Sequence, residues 1–207
     1  TQARGHPKFY ITLVRVAYFE GEPETYALPL AFTTGGRADQ SLSEFPQAAV
    51  VRVQVEGEEG LLVDALWDEG FCEALLQAMA RRRRFKGATG EVTARSTAPF
   101  RRMWRPADEP LQPSVLRAEQ SNTSVIYGDR FILKLFRRLD EGINPELDIG
   151  RFLTEQTTLA HIPPTAGFIE YRRGRGEPIT LAILQGLVAN EGDAWQYTCL
   201  LYTSPSP

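Results

Sequence analysis

Phe131-Ile132-Leu133-Lys134-Leu135-Phe136, followed shortly by Asn144-Pro145-Glu146-Leu147-Asp148, is the stretch that decides how this chain folds. The first run alternates, so Ile132, Lys134 and Phe136 share one face of a strand. Gly128-Asp129 before it supplies a tight turn, and Ser124 to Tyr127 before that reads as the partner strand of a hairpin. Asn144 then offers a side-chain cap and Pro145 fits a first helical position, which predicts a helix over 146 to about 157. A lysine amid five apolar neighbours is costly unless its ammonium finds a partner. Glu146 and Asp148, both early in the expected helix, are the acids in reach.

Working outward, Gly167 to Tyr171 and Ile179 to Gln185 read as a second hairpin turning through Arg172 to Pro178. Gly174-Arg175-Gly176 is best read as that turn and not as a phosphate loop, since no helix follows it. Ser114 to Ala118 precedes the first hairpin as another strand, joined to it by Glu119 to Thr123. Upstream, Tyr10 to Tyr18, Thr25 to Phe32, Ala48 to Glu56 and Leu61 to Asp64 read as strands. From Asp68 to Phe85 the period becomes helical, with Asp68 as N-cap and Gly87 as stop. Gly90 to Pro113 reads as a short strand and a linker. The expected fold class is α+β: an antiparallel sheet with a helix packed on it over 1–100, a linker over 101–113, and a five-stranded antiparallel sheet with one helix over 114–197.

Bulk properties exclude several classes of protein. The 207 residues carry a formal net charge of -3, which disfavours a nucleic-acid partner. No apolar run approaches the ~20 residues that span a bilayer, so no membrane partner is expected. Thr1 to Lys8 has neither an initiator Met nor an apolar signal core, and the pattern predicts that it continues a longer protein. Cys72 and Cys199 make no disulfide framework, which fits a cytoplasmic setting. His6 and His161 are too isolated for a metal site, and no metal-binding residue is expected in this sequence. Arg81-Arg82-Arg83-Arg84 with Lys86 reads first as a solvated helix end favoured by the helix dipole.

Strand, strand, strand, helix, strand, strand is the element order of a protein-kinase small lobe. There the third strand supplies a lysine to the α- and β-phosphates of ATP, held by an acid on the next helix. Lys134 and either Glu146 or Asp148 fit those roles. The loop before the second strand holds no glycine; Ser121, Asn122, Thr123 and Ser124 could offer hydroxyl, amide and backbone donors to phosphate instead.

Three runs make the resemblance more specific. Glu119-Gln120-Ser121-Asn122-Thr123-Ser124-Val125 with Phe131 to Arg138 is one; Gly142-Ile143-Asn144-Pro145-Glu146-Leu147 leading to Ile149 to Glu155 is the second. The third is Leu184-Gln185-Gly186 to Val188 with Asn190-Glu191-Gly192-Asp193-Ala194-Trp195. Together they resemble bacterial maltokinases over roughly residues 114 to 198. Residues 1–100 resemble that family's cap domain by arrangement.

That resemblance implies an enzyme that uses ATP and Mg2+ to phosphorylate the anomeric hydroxyl of maltose, giving maltose 1-phosphate for glycogen-like α-glucan synthesis. It implies that Ser121, Asn122, Thr123 and Ser124 face the phosphates and Lys134 contacts them. Gln185, Gly186, Leu187 and Val188 would be the hinge whose backbone meets adenine. Asp148 stands where the family carries its usual glutamate, with Glu146 the alternative. The catalytic Asp, the Mg2+ ligands and the maltose site belong to a lobe that these residues do not include, so the chain alone is expected to be inactive. Thr198 to Pro207 matches no continuation of the family and is expected to be an artefact. The family is also found fused behind trehalose synthase, which makes that enzyme an expected partner, with the chain as its docking module as the alternative reading.

Overall fold

The structure is a computed structural model, and it describes residues 8–55, 57–105, 109–116, 121–157, 159, 161–188 and 198. The expected readings of Glu119, Gln120 and Asn190 to Trp195, and of nearly all the terminal run, lie outside the described residues.

Two antiparallel sheets enclose one helix. The chain opens with β1 (Phe9–Val16) and β2 (Glu24–Thr34), then α1 (Gly36–Glu44), β3 (Ala49–Val55) and β4 (Glu58–Asp64). Next come α2 (Glu69–Ala80), β5 (Arg84–Lys86), β6 (Glu91–Ser96) and α3 (Ala98–Met103). The second half holds β7 (Pro113–Leu116), β8 (Asn122–Tyr127), β9 (Phe131–Phe136), β10 (Arg138–Leu139), α4 (Pro145–Gln156), β11 (Thr165–Arg172) and β12 (Ile179–Gly186). The first sheet runs β1-β2-β4-β3, with β10 pairing the free half of β2. The second runs β5-β6-β11-β12-β9-β8-β7.

The α+β class is as the sequence pattern predicts, and so is the order β7, β8, β9, α4, β11, β12. The sheet is larger than expected, with seven strands where the pattern predicts five. β6, from the first hundred residues, pairs along β11 from Gly167↔Ser96 to Arg172↔Glu91 and brings β5 with it. β10 makes the reciprocal exchange, joining the first sheet at Arg138↔Tyr26 and Leu139↔Thr25. Arg137, between β9 and β10, reinforces the crossing. Its Nη2 meets Asp64 Oδ2 at 2.5 Å and its Nε donates to Thr123 Oγ1 at 2.9 Å. Asp64 in turn caps a short 3-10 turn through the Leu66 amide.

α2 lies between the sheets because both of its flanks are apolar: Phe71, Cys72, Leu75, Leu76, Ala78 and Met79 are all buried. Phe71 packs on Phe9 of the first sheet with ring centroids 5.2 Å apart. On the other flank, Tyr127 donates its hydroxyl to Cys72 O at 2.8 Å. Gly167 lets the helix sit close to β11, since a Cβ there would be 3.1 Å from Met79 Sδ. Asp68 caps the helix through the Phe71 amide, as expected. The helix stops at Ala80, short of Phe85. Arg82 takes a left-handed φ of 50°, and the amides of Arg82 and Arg83 return to the Met79 and Ala78 carbonyls. The exposed arginine run is thus the C-terminal end of α2, with Arg81 at its C-cap, and the turn that leads on into β5.

Two helices are absent from the sequence-based expectation. α1 is nearly all polar and buries only Ala38, so it carries no apolar period. α3 hides in what reads as linker; Phe100 stacks on Phe131 at 5.3 Å, and that contact exists only once the second sheet has formed.

Candidate functional site

One face of the second sheet packs on α2 and the first sheet; the opposite face carries Lys134. The register fixes which residues share it: Asn122↔Phe136, Ser124↔Lys134 and Ile126↔Ile132 from β8, then Ile183↔Lys134 and Gln185↔Ile132 from β12. α4 covers the β11–β12 half of this face with Leu147, leaving Leu181 and Ile183 buried. The β8–β9 half stays open, with Ile126, Ile132 and Lys134 half-buried.

The helix start is built to deliver one acid. Asn144 Oδ1 accepts from the Glu146 amide at 2.8 Å, and the Asn144 amide donates to Thr180 Oγ1 of β12 at 3.2 Å. With Pro145 fixing the first helical φ, Glu146 emerges toward β9, and Lys134 Nζ lies 2.9 Å from its Oε2. Lys134 also stands 5.9 Å from the centre of the Phe136 ring. The two side chains keep 29% and 36% of their exposure, so the pair adds only about 0–1 kcal/mol to folding. An ion pair of so little structural value, on an open sheet face, is available to a third, anionic group.

Asp148, the acid that the family pattern favours, is exposed and does not meet Lys134. The reason is position: the Asn144 cap sets Glu146 at the sheet-facing start of the first turn, and two residues on the helix points outward. The expected loop from Ser121 to Ser124 is also shorter than anticipated, because β8 begins at Asn122. Asn122 and the buried Ser124 share the Lys134 face. Thr123 lies on the opposite face, where its hydroxyl accepts from Arg137. Ser121 is exposed at the strand entrance, and its carbonyl accepts from the Arg137 amide at 3.0 Å.

At the far end of β12, Gln185 shares the Lys134 face, and Gly186, Leu187 and Val188 continue out of the sheet. Two of the expected hinge donors are already engaged: the Gly186 amide with Pro164 O at 2.9 Å and the Leu187 amide with Arg130 O at 2.8 Å. Ile126 and Ile132 are the residues that the sequence did not single out as a site. The alternation of β9 already placed Ile132 beside Lys134, but Ile126 needs the hairpin register to reach that face.

No group of three or more His, Cys, Asp or Glu able to hold a metal ion occurs among the described residues. Glu146 is engaged by Lys134, so the described residues do not fit a Mg2+ centre. No helix of the described residues is long and apolar enough to cross a membrane.

No protein-family model matches the chain. Among solved structures it is similar to a glucosamine kinase in complex with glucosamine, ADP and inorganic phosphate. The identity is 15% and the TM-score 0.49, over 95% of this chain and 39% of that one. Crystal forms A and B of a glucosamine kinase match at 16% and 18% identity, with TM-scores of 0.46 and 0.43. They cover 90% and 86% of this chain and 37% and 36% of theirs. The chain thus spans less than two fifths of the length of these structures, and the likeness at this level assigns no activity.

Proposed function

We propose that this chain is the nucleotide-binding part of an ATP-dependent sugar kinase of the maltokinase type. The observation that carries the proposal is the Lys134–Glu146 pair at 2.9 Å on the open half of the sheet. Lys134 is held in position by a carboxylate, yet it retains enough exposure to meet the α- and β-phosphates of ATP. Asn122 and Ser124 lie beside it and supply polar groups to the same phosphates. Ile126 and Ile132 offer a flat apolar strip on which a purine ring can lie. The strand end from Gln185 to Val188 borders that strip, and backbone groups other than the engaged amides of Gly186 and Leu187 meet the adenine edge.

In the reaction, the terminal phosphoryl group passes from ATP to the anomeric hydroxyl of maltose, leaving ADP and maltose 1-phosphate. The residues of this chain bind and orient the nucleotide. The base that takes the hydroxyl proton, the metal ligands and the sugar pocket are assigned to residues outside this chain. Maltose as acceptor and a trehalose synthase partner rest on the resemblance carried by the three sequence runs over 114 to 198; a cytoplasmic setting rests on Cys72 and Cys199, which make no disulfide framework.

ATP affinity tests the proposal. Lys134→Met removes a charge-assisted contact worth about 1.5–3 kcal/mol, which corresponds to roughly ten- to hundredfold weaker binding. Asp148→Asn leaves the affinity unchanged. Equal ATP affinity for Lys134→Met and the parent chain, with an unaltered circular dichroism spectrum, overturns the assignment. The acceptor is tested separately, by phosphoryl transfer to maltose against glucosamine and trehalose in the intact protein that carries this chain.

A further inference from the structure

Beyond α4, on the side away from Lys134, the same sheet face continues onto β11, β6 and β5. A cavity of about 400 Å³ lies there, between the C-terminal half of α4 and the β6 ribbon. Its lining includes four arginines, Arg82, Arg84, Arg95 and Arg151, and a single acidic residue, Glu155. Lysine and arginine side chains on a protein surface normally spread apart; four converging on one concavity raise its potential and concentrate anions there.

The partners of these arginines show how much of that charge is uncommitted. Arg82 is held by Ser96, through its Oγ at 3.3 Å and its carbonyl at 3.0 Å, neither of which carries charge. Among the described residues, the ion pairs of Arg84 with Glu91 and of Arg151 with Glu155 are both loose, at 3.7 Å. The Arg95 side chain has no hydrogen bond or ion pair among the described residues. Arg151 lies over the Phe168 ring, with its guanidinium carbon 5.1 Å from the ring centre. Stacking of this kind fixes the plane of the guanidinium and leaves its edge to in-plane acceptors. Its Nε is buried without a hydrogen-bond partner. The side chain as a whole keeps 39% exposure, so the remainder of the guanidinium is open to an oxyanion that enters the cavity.

We infer that this cavity is a binding site for a phosphate-bearing small molecule, with Arg84, Arg95 and Arg151 as its ligands. The site is separated from Lys134 by α4 and does not depend on what binds there. It is connected to the Lys134–Glu146 pair, however, because Arg151 and Glu146 belong to the same helix.

The test uses the full chain, labelled with 15N at arginine, and follows the side-chain Nε–Hε signals during titration with inorganic phosphate. The Arg151 and Arg95 signals are expected to shift together and to saturate. Arg95→Gln and Arg151→Gln should each weaken that response about tenfold, the loss of one charged hydrogen bond. Lys134→Met should leave it unaltered. Saturation lost in Lys134→Met but retained in Arg95→Gln and Arg151→Gln would place the phosphate beside Lys134 and overturn the inference. A linear drift of every arginine signal without saturation would overturn it as well. Because both glutamine variants keep their apolar stems and sit at half-buried or exposed positions, folding is checked by the dispersion of the same spectra.

Discussion

Gly150→Ala puts the packing of α4, and with it the position of Glu146, under direct test. A Cβ built on Gly150 lies 2.6 Å from Thr165 Oγ1. Ordinary contact distances are about 3.5 Å, so helix and strand must separate by most of an ångström. Thr165 cannot give way. It is fully buried (0% exposed), and its β-branched side chain is stiff about χ1. Overpacking of this sort costs about 1–3 kcal/mol, whereas replacing a helical glycine by alanine gains only about 0.5–1 kcal/mol. The clash wins, and the net loss is about 1–2 kcal/mol.

The cycle of Gly150→Ala, Thr165→Ala and the double variant, measured by urea denaturation, isolates that clash. Removing Oγ1 makes room for the new methyl, so the double variant should be more stable than additivity predicts by about 1–2 kcal/mol. ATP affinity should fall in Gly150→Ala and recover in the double variant, because the helix that moves carries the partner of Lys134. A Gly150→Ala chain as stable as the parent, or strictly additive effects, would refute the tight α4–β11 packing.

Three further outcomes follow from individual contacts. Tyr127→Phe removes the hydrogen bond from a fully buried hydroxyl to Cys72 O and should cost about 0.5–1.5 kcal/mol in chemical denaturation, with little change in the slope. Asn144→Ala deletes the cap of α4 and should cost about 1 kcal/mol, with a measurable drop in ATP affinity, since the same cap positions Glu146. Burial, with Asp68 nearby, pushes the Cys72 thiol up to about 12. A folded-state value above the unfolded one stabilises the protein while the thiol is protonated. That contribution is whole below the ordinary thiol range and is lost as pH rises toward about 12. Stability should therefore decline above about pH 9, and alkylation of Cys72, followed by peptide mass spectrometry, should be slow until the chain unfolds.

Local chemistry settled a large part of this protein. The alternation in Phe131 to Phe136 places Lys134 on one face whatever else the chain does, because side chains in a strand alternate. Asn144-Pro145 caps a helix by itself, since both residues act on the backbone of their own first turn. The hairpin turns at Gly128 and Gly174, and the Asp68 cap, are legible for the same reason: partner and signal lie within a few residues of each other. Contacts between distant residues were not legible. Glu146 rather than Asp148 meets Lys134 only because β9 and the start of α4 are brought together by Asn144 and Thr180, which are far apart in the chain. The commitment of Thr123 to Arg137 depends on the β8–β9 register, and the pairing of β6 with β11 joins residues more than seventy positions apart. α1 and α3 lack an apolar period of their own, so their helical state is decided by what they pack against. The arginines of the anion cavity come from β5, β6 and α4, and their convergence exists only in the folded chain, where sheet pairing and helix docking fix distances that sequence spacing does not encode.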